Sequence, residues 1–365
     1  MALSSICMSE ELIWTSVNIP ELEFIESGVQ HLGVWFHGDF GWLNSGKQIW
    51  ITNNAGRNWR LSLKPPENRL FYDSYFINSL EGWAVAGIFP SFLFHTKDGG
   101  ISWESVGSQT FGNSSLTYIY FKDSLNGLGT FVVDKAIGWD FDVIGRTENG
   151  GKDWGFLLNV KGKGSFGKLM GINDKIWVEY SSNNEALYTE DFGNSFQWLP
   201  PNPSFPDIFS RHFLQSKYGW ATYTTYLSNQ QRRSDIIVTI DGGFTWSQSI
   251  LSLQGISTTN VNRYIDICLL KEGNGAVLWY SGNNYFLYFT SNGGDSWSKY
   301  TVLVMSEYQL ECNRENREFW LVPSPNGGDA KEQTLFYTSI PDLAAINQSK
   351  ILPILWGDIK RGKEF

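Results

Sequence analysis

TNNAGRNW (Thr52 to Trp59), TKDGGISW (Thr96 to Trp103), TENGGKDW (Thr147 to Trp154), TEDFGNSF (Thr189 to Phe196), TIDGGFTW (Thr239 to Trp246) and TSNGGDSW (Thr290 to Trp297) are one octapeptide written six times. The leading threonines stand 44, 51, 42, 50 and 51 residues apart, the period of a four-stranded propeller blade. Each octapeptide reads as a hairpin turn. The side chain at its third place (Asn54, Asp98, Asn149, Asp191, Asp241 or Asn292) can accept nearby backbone N–H groups and so stand in for a backbone turn. A glycine supplies positive φ at little steric cost. The closing aromatic (Trp59, Trp103, Trp154, Phe196, Trp246 or Trp297) then starts the next strand and inserts its ring between sheets. All twelve positions are expected to be structural.

A second signature precedes each turn. It reads Gly41-Trp42, Gly82-Trp83 and Gly219-Trp220, with Leu128 in the third repeat and Ile176-Trp177, Leu278-Trp279 and Phe319-Trp320 as variants. Phe319-Trp320 lies too late to belong to the sixth turn. It is followed by TLFYTS (Thr334 to Ser339), so a seventh blade is expected, with Thr338 standing 48 residues after Thr290 and its octapeptide decayed. Trp14 to Asn18 resembles the strand after each turn, which makes it the missing outer strand of that blade. The fold class is then all-β: a seven-bladed β-propeller of four-stranded antiparallel blades, its ring closed by the N-terminal strand, which removes open sheet edges. One propeller over residues 1–345 and a C-terminal tail over 346–365 is the expected organisation.

Composition narrows the function. Aromatics reach 16% and charged residues only 18%, so a large core is available. A net charge of −9 disfavours nucleic acid and anionic membrane surfaces. No stretch is long and apolar enough for membrane insertion. Cys7, Cys268 and Cys312 show no paired spacing, neither a disulfide framework nor a zinc pattern, which fits a reducing compartment; a cytoplasmic location is expected. His31, His37, His95 and His212 are scattered, and no metal or cofactor is expected.

The octapeptides resemble the Asp-box, or bacterial neuraminidase repeat. Together with the Gly-Trp signature they look most similar to the propellers related to photosystem II assembly factors. That resemblance implies a seven-bladed, non-enzymatic protein that binds other polypeptides, and it covers nearly the whole chain. Two departures stand out: the signal or transit segment expected for the thylakoid lumen is missing, and arginines are few. Sialidases share the repeat, but their first site arginine precedes the first box, whereas the first arginine here is Arg57, inside it. A carbohydrate-binding protein or an Asp-box glycoside hydrolase that is not a sialidase stays open as the alternative, since its two carboxylates could come from any pair of loops. The nucleophile elbow, the Walker loop and the His-Glu-x-x-His motif are all missing from the sequence.

Loop lengths point to a face. From the second signature to the turn threonine the seven repeats measure 10, 13, 19, 12, 19, 11 and 18 residues, so blades 3, 5 and 7 carry long loops between their second and third strands. These B–C loops share one face with the D–A links, and variable loops on a rigid frame often carry recognition. Candidate binding residues are Trp139 in blade 3 and Tyr223, Tyr226, Arg232 and Arg233 in blade 5, residue types that dominate interface energies. The plain alternative is that Trp139 caps its own blade and the arginines form a solvated turn. The expected function is a non-enzymatic binding scaffold or assembly factor whose partner is another protein, with a glycan as the lesser alternative.

Overall fold

In the computed structural model of the chain, the octapeptide turns join the third and fourth strands of antiparallel sheets, and seven such four-stranded sheets form a propeller. The structure describes residues 14–25, 33–66, 69–111, 114–133, 141–161, 166–180, 185–200, 204–205, 208–226, 232–248, 265–270, 274–281, 284–292, 297–302, 308–323 and 334–339. No helix occurs among them. Strand β1 (Thr15–Asn18) is the first among the described residues. Blade 1 comprises β2 (Gly33–His37), β3 (Phe40–Asn44), β4 (Ile49–Thr52) and β5 (Arg60–Leu63). Blade 2 comprises β6 (Phe71–Phe76), β7 (Gly82–Ala86), β8 (Ser91–Thr96) and β9 (Glu104–Phe111). Blade 3 comprises β10 (Ser114–Phe121), β11 (Gly127–Val133), β12 (Phe141–Thr147) and β13 (Gly155–Lys161). Blade 4 comprises β14 (Phe166–Ile172), β15 (Lys175–Tyr180), β16 (Glu185–Thr189) and β17 (Gln197–Trp198). Blade 5 comprises β18 (Ile208–Phe213), β19 (Gly219–Tyr226), β20 (Arg232–Thr239) and β21 (Ser247–Gln248). Blade 6 comprises β22 (Ile265–Leu269), β23 (Gly275–Ser281), β24 (Asn284–Thr290) and β25 (Ser298–Val302). Blade 7 comprises β26 (Tyr308–Asn313), β27 (Glu318–Pro323) and β28 (Thr334–Ser339), completed by β1.

The closure read from Trp14 to Asn18 is present: β1 runs antiparallel to β28, from Thr15 opposite Tyr337 to Asn18 opposite Thr334. Blades 2 and 3 are also hydrogen-bonded to each other, because β9 pairs with the start of β10.

One side-chain contact recurs where blades meet. The tryptophan at the second-strand signature lies on the phenylalanine near the end of the next blade's inner strand. The ring centroids of Trp83 and Phe121 are 3.8 Å apart, those of Trp177 and Phe213 are 4.0 Å apart, and both pairs are nearly parallel. Trp42 with Phe76 (5.0 Å) and Trp320 with Phe36 (5.2 Å) are tilted versions. Trp320–Phe36 joins blade 7 to blade 1, so the ring closes with the contact that builds it. The indole N–H is used as well: Trp83 donates to Gly150 O at 3.2 Å and Trp177 to Gly242 O at 2.8 Å, each a carbonyl in the next blade's octapeptide. The seam between blades 7 and 1 adds a bidentate ion pair from Arg57 to the buried Glu318.

Register corrects one assignment. The residue that follows the position paired with the turn threonine is Trp42, Trp83, Leu128, Trp177 and Trp220 in blades 1 to 5. In blade 6 it is Ala276, because Gly275 pairs with Thr290; Trp279 lies three residues further on, opposite Ile265. The sixth span is therefore 14 residues, and blades 3, 5 and 7 remain the long ones. A second correction concerns the cysteines. Cys268 and Cys312 are joined as a disulfide with Cα atoms 5.9 Å apart. Their separation of 44 residues is one blade period, and adjacent inner strands bring together what the sequence holds apart.

Trp83→Ala removes a fully buried ring, its stack and its indole bond, so it is expected to cost about 3–5 kcal/mol. Ile101→Ala, on a side chain 71% exposed, should stay within about 0.5 kcal/mol. Denaturant unfolding of both variants checks this.

Candidate functional site

A propeller presents two faces and an axial channel, and each uses its polar groups differently. On the first face lie the A–B turns and the octapeptides. In five octapeptides the threonine hydroxyl donates to the Asp or Asn two residues on, at 2.8–3.1 Å, and accepts the N–H four residues on, at 2.8–3.0 Å. The same carboxamide or carboxylate accepts the N–H four residues beyond itself, at 2.9 Å from Asn58, Ser102, Asp153, Ser195 and Thr245. Ser102, Ser195 and Thr245 add a hydroxyl bond to the second carboxylate oxygen. Stabilised first by the Ser102 hydroxyl and then by its N–H, the Asp98 carboxyl is held down to about 2. An acid so committed is a turn brace and a poor proton donor. Five of the turns are also fastened to their own A–B turns, as Gly99 N–H to Leu80 O (2.7 Å) and Gly150 N–H to Leu125 O (2.9 Å) illustrate. The closing rings do insert between blades: Trp103 donates to Ser62 of blade 1 at 2.9 Å, and Trp154 packs among Trp83, Val85 and Leu93 of blade 2.

A cavity of about 390 Å³ opens on this face between blades 2, 3 and 4, lined by Tyr75, Tyr120, Phe121, Lys122, Asp123 and Asp174 among others. Its carboxylates are occupied. Asp123 accepts the N–H groups of Leu125 and Asn126, and Asp174 is paired with Lys122 at 2.8 Å. This is not the raised-acid and free-base pair that glycoside hydrolysis requires.

The channel is lined by the inner strands. Lys168 of blade 4 reaches across it, its Nζ 5.6 Å from the Trp35 ring centre on blade 1. Asp73 and Asp266 occupy equivalent places on β6 and β22. Each accepts a backbone N–H from the next blade's inner strand: Ile119 to Asp73 at 2.9 Å and Leu310 to Asp266 at 3.1 Å. Burial pushes Asp73 up to about 7, against the pull of the Ile119 bond, Lys168 and the Ser74 bond. Burial likewise raises Asp266 to about 6 and Glu311 to about 8, and holds His212 down at about 3. These groups face the lumen only partly and are otherwise enclosed by protein. The bonds from Ile119 and Leu310 make Asp73 and Asp266 inter-blade ties.

The opposite face carries the B–C and D–A segments. In blade 1 it is covered by the chain itself, a feature the sequence reading missed. Gln48 Oε1 accepts the Glu23 N–H and the Trp50 indole N–H, both at 2.9 Å, and Gln48 Nε2 donates to Glu21 O at 3.0 Å. Leu22, Phe24 and Ile25 are thereby buried against Trp50. In blade 2, Arg69 also escaped notice: it donates to Ile88 O at 2.8 Å and lies over the Phe92 ring, beside Phe89, which is 42% exposed. In blade 5, β19 and β20 stay paired out to Thr225 opposite Arg233 and Tyr226 opposite Arg232, so these residues stand at the far end of an extended hairpin. Tyr223 sits lower, its ring edge-on to Phe205 at 4.9 Å, half-buried against Ile208, Ala221 and Ile237. Trp139 falls outside the described residues, as does most of the blade-seven loop.

No protein-family model matches the chain, and no curated protein does. Solved structures do match. YCF48 bound to D1 peptide superposes with a TM-score of 0.63 at 16% identity, over 90% of this chain and 96% of that one. YCF48 from Cyanidioschyzon merolae gives 0.63 at 15% identity, over 89% and 98%. At this identity the likeness is one of fold. The GH74 enzyme of Niastella koreensis aligns at a TM-score of 0.35 with 11% identity over 84% and 52%, too loosely to bear on function.

Asp73 binds a proton more readily folded than unfolded. Its contribution is therefore fully present below pH about 4 and is lost as the pH rises through about 7. Asp73→Asn keeps an acceptor for Ile119 but cannot ionise. Between pH 5 and 8 wild type should lose more stability than this variant, by about 1 kcal/mol or more, in paired urea titrations.

Proposed function

We propose that this propeller is a non-catalytic scaffold that recognises another polypeptide through the face bearing the B–C and D–A loops. On this reading its turns are Asp-box repeats of the photosystem II assembly-factor-like kind. The observation that carries it is the blade-five hairpin, whose continuous pairing holds Tyr226, Arg232 and Arg233 at the far end of a stiff arm on that face. Two rigid backbone strands lower the ordering cost of binding, and Tyr and Arg are efficient anchors. A protein of the same fold bound to D1 peptide supports a polypeptide as the partner. The turn acids on the opposite face are consumed by their own turns, which favours binding over hydrolysis.

The test compares wild type with the Tyr226→Ala/Arg232→Ala/Arg233→Ala variant, first in affinity capture from native lysate and then in titration of the captured polypeptide and of the D1 peptide. The variant should unfold at the wild-type midpoint and bind about tenfold more weakly or worse. Equal binding by both proteins would remove blade 5 from the interface. Retention of glycans and no polypeptide would overturn the scaffold reading.

A further inference from the structure

The seam between blades 6 and 7 lacks the contact that builds its neighbours. Ala276 stands where Trp42, Trp83, Trp177, Trp220 and Trp320 stand in other blades. Cys312 stands where Phe36, Phe76, Phe121 and Phe213 stand on the inner strands, one residue past the partner of the signature position. Both halves of the aromatic pair are therefore missing from one seam. Cys268, directly opposite Ala276, is bonded to Cys312 across that gap. The Cα separation of 5.9 Å lies within the span of a disulfide. The seam between blades 3 and 4 also lacks the pair, having Leu128 and Gly171, but there the Tyr120 ring fills the space over Gly171. Only at blades 6 and 7 is a covalent bond the substitute among the described residues.

The place matters because blade 7 is assembled from both ends of the described chain, with β1 supplying its outer strand. Its other seam, to blade 1, has the Trp320–Phe36 contact and the Arg57–Glu318 ion pair. Toward blade 6 the described inner-strand ties are the Leu310–Asp266 hydrogen bond and the disulfide.

We propose that Cys268–Cys312 is a redox-controlled clasp on the closing blade, formed as the ring matures in an oxidising compartment, and that its reduction loosens this seam before any other. In formation the two thiols give up two protons and two electrons to an incoming small-molecule or protein disulfide, which leaves as two thiols; a dithiol reverses the exchange. The accessible sulfur is that of Cys312, which is half-buried, whereas Cys268 is 3% exposed. Once reduced, the Cys312 thiol has an acceptor in place, Leu269 O at 3.7 Å.

The test starts with protein equilibrated with oxidised glutathione, alkylated under denaturing conditions and weighed intact. One thiol, Cys7, should react without reductant and all three cysteines after it. Amide exchange then locates the effect. Exchange at Leu310 should quicken about tenfold or more on reduction. The Cys268→Ala/Cys312→Ala variant should show the same rise at Leu310. Ile119, which makes the equivalent bond between blades 2 and 3, should not change in either case. Should the double variant fail to fold, reduced wild type serves in its place. Three reactive thiols in the oxidised sample, or equal responses at Leu310 and Ile119, would overturn the proposal.

Discussion

The rest of the structure depends on how one blade holds the next. A four-stranded sheet is apolar on both faces and cannot stand alone in water, so each blade must bury two faces against neighbours. Here the burial is made directional by a large ring set against a smaller one. A tryptophan from the second strand lies on a phenylalanine from the adjacent inner strand, and at two seams, those of Trp83 and Trp177, its indole N–H also meets a carbonyl in the adjacent turn. Area alone would permit sliding; the hydrogen bond fixes the register between sheets. Gly56 shows how tight the fit becomes at the seam between blades 7 and 1, since a Cβ there would stand 2.3 Å from the Trp320 ring and its φ is +81°.

The octapeptide thus has two duties. It closes its own hairpin, and in blades 3 and 5 it also offers the neighbouring tryptophan an acceptor. Where the third place is an acid, as at Asp98, Asp191 and Asp241, the carboxylate is consumed in the first duty. The inner strands add a second, shorter-range tie, in which Asp73 and Asp266 reach sideways to the next blade's backbone. Polar groups in the turns and along the channel are in this way largely committed to holding the ring. The remaining face carries the B–C and D–A segments.

That face is unequal around the ring. Blade 1 is roofed by residues 19–25, locked through Gln48, and blade 2 presents a short turn braced by Arg69. Blade 5 instead projects a paired hairpin. A rigid frame with one covered sector and one projecting arm can orient a partner, whereas a symmetric ring could only encircle one.

Much of this was legible in the sequence because a repeat samples the same physics several times. Six copies of one turn identify the blade, its period counts the blades, and the strand at Trp14 to Asn18 completes the seventh. Single features resisted. The blade-six signature was misplaced by three residues, since an alanine in a tryptophan's position leaves no mark in a pattern and Trp279 nearby offers a false one. The Cys268–Cys312 bridge was hidden too, because cysteines one blade apart become neighbours only when inner strands stand side by side. Gln48 and Arg69 were silent because their partners are backbone carbonyls and amides, which every sequence contains. Local turn chemistry and strand patterning, repeated along the chain, determined the propeller and its blade number. The packing of each blade against the next decided which side chains became ties and where the chain covers its own face.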